Sequence, residues 1–305
     1  GVQTCALPIS DFEPGARQPD AAVLYTHRRV GDAEIYFVSN QKDRTEELDA
    51  RFRAGGRAPE WWDAATGEMR RLPDFRVEDG WVRVPLRLDP FGSGFVVLRG
   101  QRQPLPGLNW PEFQLEQTIT GSWSVSFPPN LGAPASATFD RLVSYTDRAE
   151  SGIRFFSGTA TYEKDIEIPA KLLGGGRELY LDLGEVAVMA TVELNGKDLG
   201  VLWKPPFRVR VDGAAKPGAN HLVVRVTNLW RNRMISDAAL PDDIEWSVQG
   251  YPARWPDWLV EGKPRPGDRI AFCTRRTVYP ANAPMRLSGL LGPVTLQLEI
   301  GRAHV

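Results

Sequence analysis

ATVELNGKDLGVLWKPPFRVRV occupies residues 190–211, and after a Gly/Pro/Asn turn the chain continues NHLVVRVTNLWRNRMISD over residues 220–237. Ala190 to Leu194 reads as a strand that runs into Asn195-Gly196, the strongest short-range hairpin signal a sequence offers. A second strand leaves through Leu199 to Trp203. Pro205 and Pro206 end the ladder because neither has an N–H to donate. Phe207 to Val211 and Leu222 to Thr227 then alternate apolar and polar side chains at period two, as half-buried strands do. Consecutive strands joined by tight turns are antiparallel, so this stretch belongs to an all-β unit.

The same reading extends outward in both directions. Ser157 to Ile168 and Glu178 to Leu183 alternate cleanly, and Gly121 to Phe127 places Trp123, Val125 and Phe127 on one face. Further upstream, Ala22–Arg28, Glu34–Ser39, Met69–Phe75, Trp81–Leu88 and Gly94–Leu98 are expected strands. In Trp81–Leu88 the residues Val82, Val84, Leu86 and Leu88 form the core face, by period two. The stretch FRAGGRAPEWWDAATGEMRRL, residues 52–72, carries a tight Gly55-Gly56 turn and a turn at Asp63 to Gly67. Downstream of Asp237, a stretch rich in proline and tryptophan reads as a long surface excursion. Ile270–Thr274 and Val294–Leu298 close the fold. No helix is long enough for a βαβ crossover. The expected architecture is all-β, two antiparallel β-sandwiches over residues 19–104 and 117–298, with a linker at 105–116; a chain of 305 residues suits two domains.

Composition excludes several functions. Net charge is −1 with both signs interspersed, so there is no electrostatic footprint for nucleic acid. Nothing approaches the ~20 apolar residues that span a bilayer as a helix. Residues 1–10, beginning GVQTCALPI, and 299–305, EIGRAHV, resemble in-frame translations of a sequencing adapter and are set aside as non-native tails. That leaves Cys273 alone, with no disulfide partner, and His27 and His221 far apart, with no metal-ligand cluster. Cys273, in the strand-like run IAFCT, is expected to be a buried, inert thiol.

Motifs in order along residues 20–298 resemble the C-terminal region of the family 106 glycoside hydrolases, the α-L-rhamnosidases. They are YTHRR (25–29), DAEIYFVSN (32–40), FRAGGRAPEWWDAATGEM (52–69), SGTATYEKDIEIP (157–169), the hairpin stretch above, VTNLWRNRMISD (226–237) and RLSGLLGPVTL (286–296). The NGK-LG-W-PPF portion is shared with the sugar-binding domain of family 2 β-glycosidases. The resemblance implies that residues 117–298 form a galactose-binding-like jelly roll. It also implies a catalytic (β/α)8 barrel upstream, which this β-rich pattern has no room for, and bacterial origin with periplasmic or extracellular placement. The function so implied is that of a non-catalytic sandwich portion of an α-L-rhamnosidase-like enzyme. It would support that barrel and present plant or bacterial polysaccharide, and the fragment would be inactive by itself. The alternatives are a stand-alone carbohydrate-binding module and a fragment of a family 2 type β-glycosidase.

Glycoside hydrolysis needs two carboxyl groups across the scissile bond. The acidic run Asp237, Asp242, Asp243 and Glu245 shows no spacing that singles out a pair, and loop acids of this kind are expected to be solvated. The same run could hold Ca²⁺ through loop oxygens, although it lacks a diagnostic spacing, and no cofactor is otherwise implied. Flat aromatic faces with a few polar groups suit sugars better. Trp203, Trp230 and Trp246, with Arg231, Asn232, Arg233 and Asp237, are therefore candidates for carbohydrate binding or a domain interface; Trp255 and Trp258 lie nearby. A structural alternative assigns Trp123 and Trp203 to the sandwich core, and Trp230 and Arg233 to domain docking. His27, ending the first strand beside Arg28 and Arg29, reads as a rim residue of the absent active site or as a domain contact.

Overall fold

The computed structural model describes residues 10–300, apart from 274 and 277. It divides into two compact units, the first extending to Gln114 and the second spanning Leu115–Leu298. The adapter-like segments lie outside the described residues except at their edges. There the expected boundary shifts: Glu299 and Ile300 continue the last strand, and Glu299 is buried.

The first unit contains β1 (Phe12–Glu13), β2 (Val23–Val30), β3 (Ala33–Asn40), β4 (Glu46–Arg53), β5 (Ala58–Asp63), β6 (Met69–Arg71), β7 (Arg76–Glu78), β8 (Trp81–Leu88) and β9 (Ser93–Arg99). They form two antiparallel sheets, ordered β1-β4-β8-β7 and β2-β3-β9-β5-β6. Leu48, Ala50, Phe52, Val82, Val84, Leu86 and Leu88 of one sheet pack with Tyr36, Val38, Trp61, Val96 and Leu98 of the other. The core face expected of β8 is thus the buried one.

Strands β4 and β5 are not among the expected strands: β4 precedes the Gly55-Gly56 turn, and β5 runs from that turn into the one at Asp63 to Gly67. In β4 the buried period-two positions are Glu46, Leu48, Ala50 and Phe52, and Glu46 masks the alternation. Arg44 lies 2.8 Å from the Glu46 carboxylate, which lets an acid occupy that face. In β5 the disguise is Pro59, whose missing N–H argues against an inner strand; its carbonyl still accepts from Leu72 N. Part of the expected linker is also structured. Asn109 is buried and clamps the first unit, its side-chain amide donating to the carbonyls of Asp74 and Pro85. Trp110 meets Trp61 edge-on, and residues Glu112–Thr118 are strand β10.

Beyond β10, the second unit contains β11 (Trp123–Ser126), β12 (Ser136–Phe139), helix α1 (Ser151–Arg154), β13 (Thr159–Ile168), β14 (Leu179–Asp182), β15 (Glu185–Ala187), β16 (Met189–Leu194), β17 (Lys197–Leu202), β18 (Arg208–Arg210) and β19 (Gly218–Thr227). Helices α2 (Arg231–Asp237) and α3 (Asp257–Val260) follow, then β20 (Gly289–Gly292) and β21 (Thr295–Ile300). A six-stranded sheet, β12-β11-β13-β19-β16-β17, packs on a four-stranded one, β10-β21-β14-β18. Trp123, Phe139, Tyr145, Tyr162, Val192, Val224, Leu181 and Leu296 are among the side chains of this core.

The β16–β17 hairpin forms as expected. Asn195 and Gly196 take φ of 55° and 80°, the left-handed pair of a type I′ turn, with Leu194 opposite Lys197. Of the expected strand at Ile270–Thr274, residues 270–273 are irregular, and 274 lies outside the described residues. Ile270 and Ala271 instead give their N–H groups to the Asp237 carboxylate, so no ladder can use them.

Candidate functional site

Helix α2 and the loops around it carry most of the polar chemistry of the second unit. Strand β19 delivers the chain to Asn228, whose side chain takes Gly158 N and donates to the Phe156 carbonyl, which fixes the exit from the sheet. Trp230 sits at the N-terminal boundary of α2, makes no side-chain capping bond and is 42% exposed. Arg231 reaches the Pro284 carbonyl and lies over the Tyr279 ring at 4.4 Å. Asn232 is buried, with its amide bonded to the Arg286 carbonyl at 2.7 Å and to Ser288 Oγ at 3.0 Å. Its oxygen accepts from Arg286 N. These contacts make Asn232 a clamp on the segment leading into β20.

Arg233 and Asp237 lie one helical turn apart, 7% and 2% exposed. Their nearest N–O distance is 3.8 Å. Arg233 Nη2 donates a long bond to the Leu131 carbonyl, and Arg233 Nε and Asp237 Oδ1 have no hydrogen-bond partner among the described residues. Burial pushes the Arg233 guanidinium below its ordinary value, while the Asp237 charge opposes that. The expectation that Asp237 is solvated is overturned, because its second oxygen binds two backbone N–H groups. A helix end that buries a carboxylate on a returning loop is a structural joint as well as a charge.

The remaining acids of the run are occupied by arginines. Arg265 grips Asp243 with two bonds of 2.6 and 2.9 Å, and Arg269 lies 3.5 Å away. Arg276 bonds Asp242. Burial would raise the Asp243 carboxyl, yet the Arg265 hydrogen bonds and charge hold it below the usual range. A general acid needs a raised pKa, so Asp243 is set the wrong way for that role. Trp246 lines a water-sized hole of about 30 Å³ together with Met234 and Asp237, and its buried indole nitrogen has no hydrogen-bond partner among the described residues.

Other candidates fall elsewhere. Trp123 is core, but Trp203 is 55% exposed at the end of β17, against its assignment to the core. Cys273 is half-buried in an irregular segment rather than sealed in a strand. His27 belongs to the first unit, stacked on Tyr36 at 4.1 Å, with Nε2 2.9 Å from the Glu34 carboxylate and Nδ1 3.4 Å from Asp11.

One open cleft of about 380 Å³ sits over Arg233. Its walls include Asn130, Ser151, Phe155, Ser236 and Asp268, none of which the sequence reading selected. They come from four separate segments with no shared spacing; the usable local signals were the turn residues Asn130 and Gly132, at φ of 64° and 82°.

Comparison with known proteins agrees with the motifs. Residues 6–76 match the model of a family described as alpha-L-rhamnosidase; the match begins inside the segment 1–10 that the sequence sets aside. A solved rhamnosidase from Novosphingobium sp. PP1Y is 33% identical with a TM-score of 0.79, covering 94% of this chain and 25% of its own. A curated protein of Formosa agariphila, described as a putative beta-glucuronidase, is 42% identical over 185 residues, which are 61% of this chain and 16% of that protein. The chain thus spans a quarter or less of the length of these two proteins. Its similarity to the Novosphingobium rhamnosidase runs along nearly its whole length, and its match to the alpha-L-rhamnosidase family lies in residues 6–76.

Proposed function

We propose that this chain is the non-catalytic β-sandwich portion of an α-L-rhamnosidase-like glycoside hydrolase. It works beside a catalytic (β/α)8 barrel of the same polypeptide, and its second unit is a sugar-binding jelly roll. The observation that carries this reading is the arginine pairing of the acidic run. Arg276 bonds Asp242, and Arg265 holds the Asp243 carboxyl below the usual carboxylate range. Paired carboxylates with separated pKa values are what glycoside cleavage requires. The 33% identity over 94% of the chain to one quarter of a rhamnosidase supports the same division of labour.

A second reading, a portion of a β-glucuronidase-like enzyme, is favoured by the higher identity of the Formosa agariphila protein over its shorter span. Both readings make this chain an accessory to chemistry performed elsewhere. The test is a turnover assay of the purified chain with an aryl α-L-rhamnoside and an aryl β-D-glucuronide at high protein concentration. The expected result is no product from either. Turnover that persists through purification and is abolished by Asp243→Asn would overturn the accessory role.

A further inference from the structure

We infer that the cleft over Arg233 is a binding site for one neutral pyranose of a glycan. The inference deepens the accessory reading above and rests on it for the choice of sugar. Four observations carry it. First, about 380 Å³ falls at the small end of ligand sites, which run from roughly 300 to 1,000 Å³. Second, the walls combine one half-buried ring, Phe155, with side-chain hydroxyl, amide and carboxylate groups from Ser151, Ser236, Asn130 and Asp268. A pyranose offers the complement, a C–H face for the ring and hydroxyls that both donate and accept. Third, none of those four polar side chains bonds another described residue, so they are not consumed by the fold.

Fourth, the floor is costly to maintain. Burying a guanidinium with one long hydrogen bond and an ion pair at 3.8 Å returns little of its desolvation cost. Groups left unsatisfied in this way call for an explanation beyond packing. Arg233 lines the cleft, so a hydroxyl seated there would accept from guanidinium N–H groups that the Leu131 and Asp237 contacts leave unused, although not from Nε, which is sealed from solvent. Charge selects a neutral sugar, because Asp268 on the wall would repel the carboxylate of a uronic acid.

The experiment titrates the full chain with methyl α-L-rhamnopyranoside and, separately, methyl β-D-glucopyranosiduronate, followed by saturation-transfer NMR and calorimetry. Variants Phe155→Ala and Asp268→Asn are run alongside, with melting temperature as the folding control. The expected result is saturable rhamnoside binding that each variant weakens by about tenfold or more, equivalent to ~1.4 kcal/mol, at unchanged melting temperature. Rhamnoside binding that both folded variants retain would overturn the site, and preference for the uronate would overturn its charge selection. Absence of binding to either sugar would overturn the inference and leave the accessory reading, which the turnover assay tests separately, intact.

Discussion

At the scale of single residues, the tightest constraints in the second unit sit where backbone meets core aromatics. Gly289 has φ of +99°, and a Cβ there would lie 2.6 Å from Tyr162 Oη and 2.7 Å from Tyr145 Cε1. Neither ring can retreat, because both are fully buried against Phe139 and each other. Gly289→Ala therefore combines overpacking with a left-handed backbone, and is expected to destabilise by about 2–4 kcal/mol. Chemical denaturation would show this as a lower midpoint at unchanged slope; a midpoint equal to the parent's would mean that the core yields. Asn195 shows the opposite case, a residue whose role the sequence already displayed. Its left-handed φ makes the turn, while its side chain adds bonds to the Ala214 carbonyl, Asn220 Oδ1 and His221 N that no local pattern announces.

At the scale of elements, the irregular stretch after α2 is held by ion pairs in place of a ladder. Arg265 links Asp243 to the Ala271 carbonyl and lies 5.3 Å from the Trp258 ring. The carboxyl of Asp243 is depressed in the folded chain, so it stabilises this loop above the unfolded value of ~3.9. That contribution disappears as pH falls through the folded value. Tryptophan fluorescence is thus expected to change in acid before far-ultraviolet circular dichroism reports loss of the sheets. In Asp243→Asn the early step should be absent, with the loop already loosened at neutral pH. Coincident transitions in the parent would show that the pair does not govern the loop. The sequence reading treated these acids as free because an ion pair joining residues 243 and 265 has no short-range signature.

For the whole molecule, each unit has its own core and each core encloses a tyrosine. Burial raises Tyr36 in the first unit, and in the second pushes Tyr162 up to about 12 and Tyr145 well above its ordinary value. The unfolded chain ionises near pH 10 while the folded one resists. Stability from these groups is therefore complete below ~10 and is lost as pH rises through the folded values. Alkaline titration is expected to show tyrosinate absorbance rising together with loss of circular dichroism rather than before it. Tyr162→Phe, which removes one of these groups, should shift the second unit's transition to higher pH once the cost of its bond from Leu290 N is allowed for. Free titration of all seven tyrosines in the folded state would contradict the burial.

What the sequence by itself determined was the all-β class, the Asn195-Gly196 hairpin, the buried faces of β8 and β11, and the family resemblance. Each rests on period two or on a turn residue, signals that a few consecutive positions carry in full. Strands β4 and β5 escaped because Glu46 and Pro59 break the local pattern, and distant partners make both tolerable. The cleft over Arg233, the arginine grip on Asp242 and Asp243, and the burial of Asp237 were decided by tertiary structure alone. Those features join segments far apart in the chain, and the free energy of an ion pair or a shared cavity depends on distance in space, which no spacing along the chain encodes.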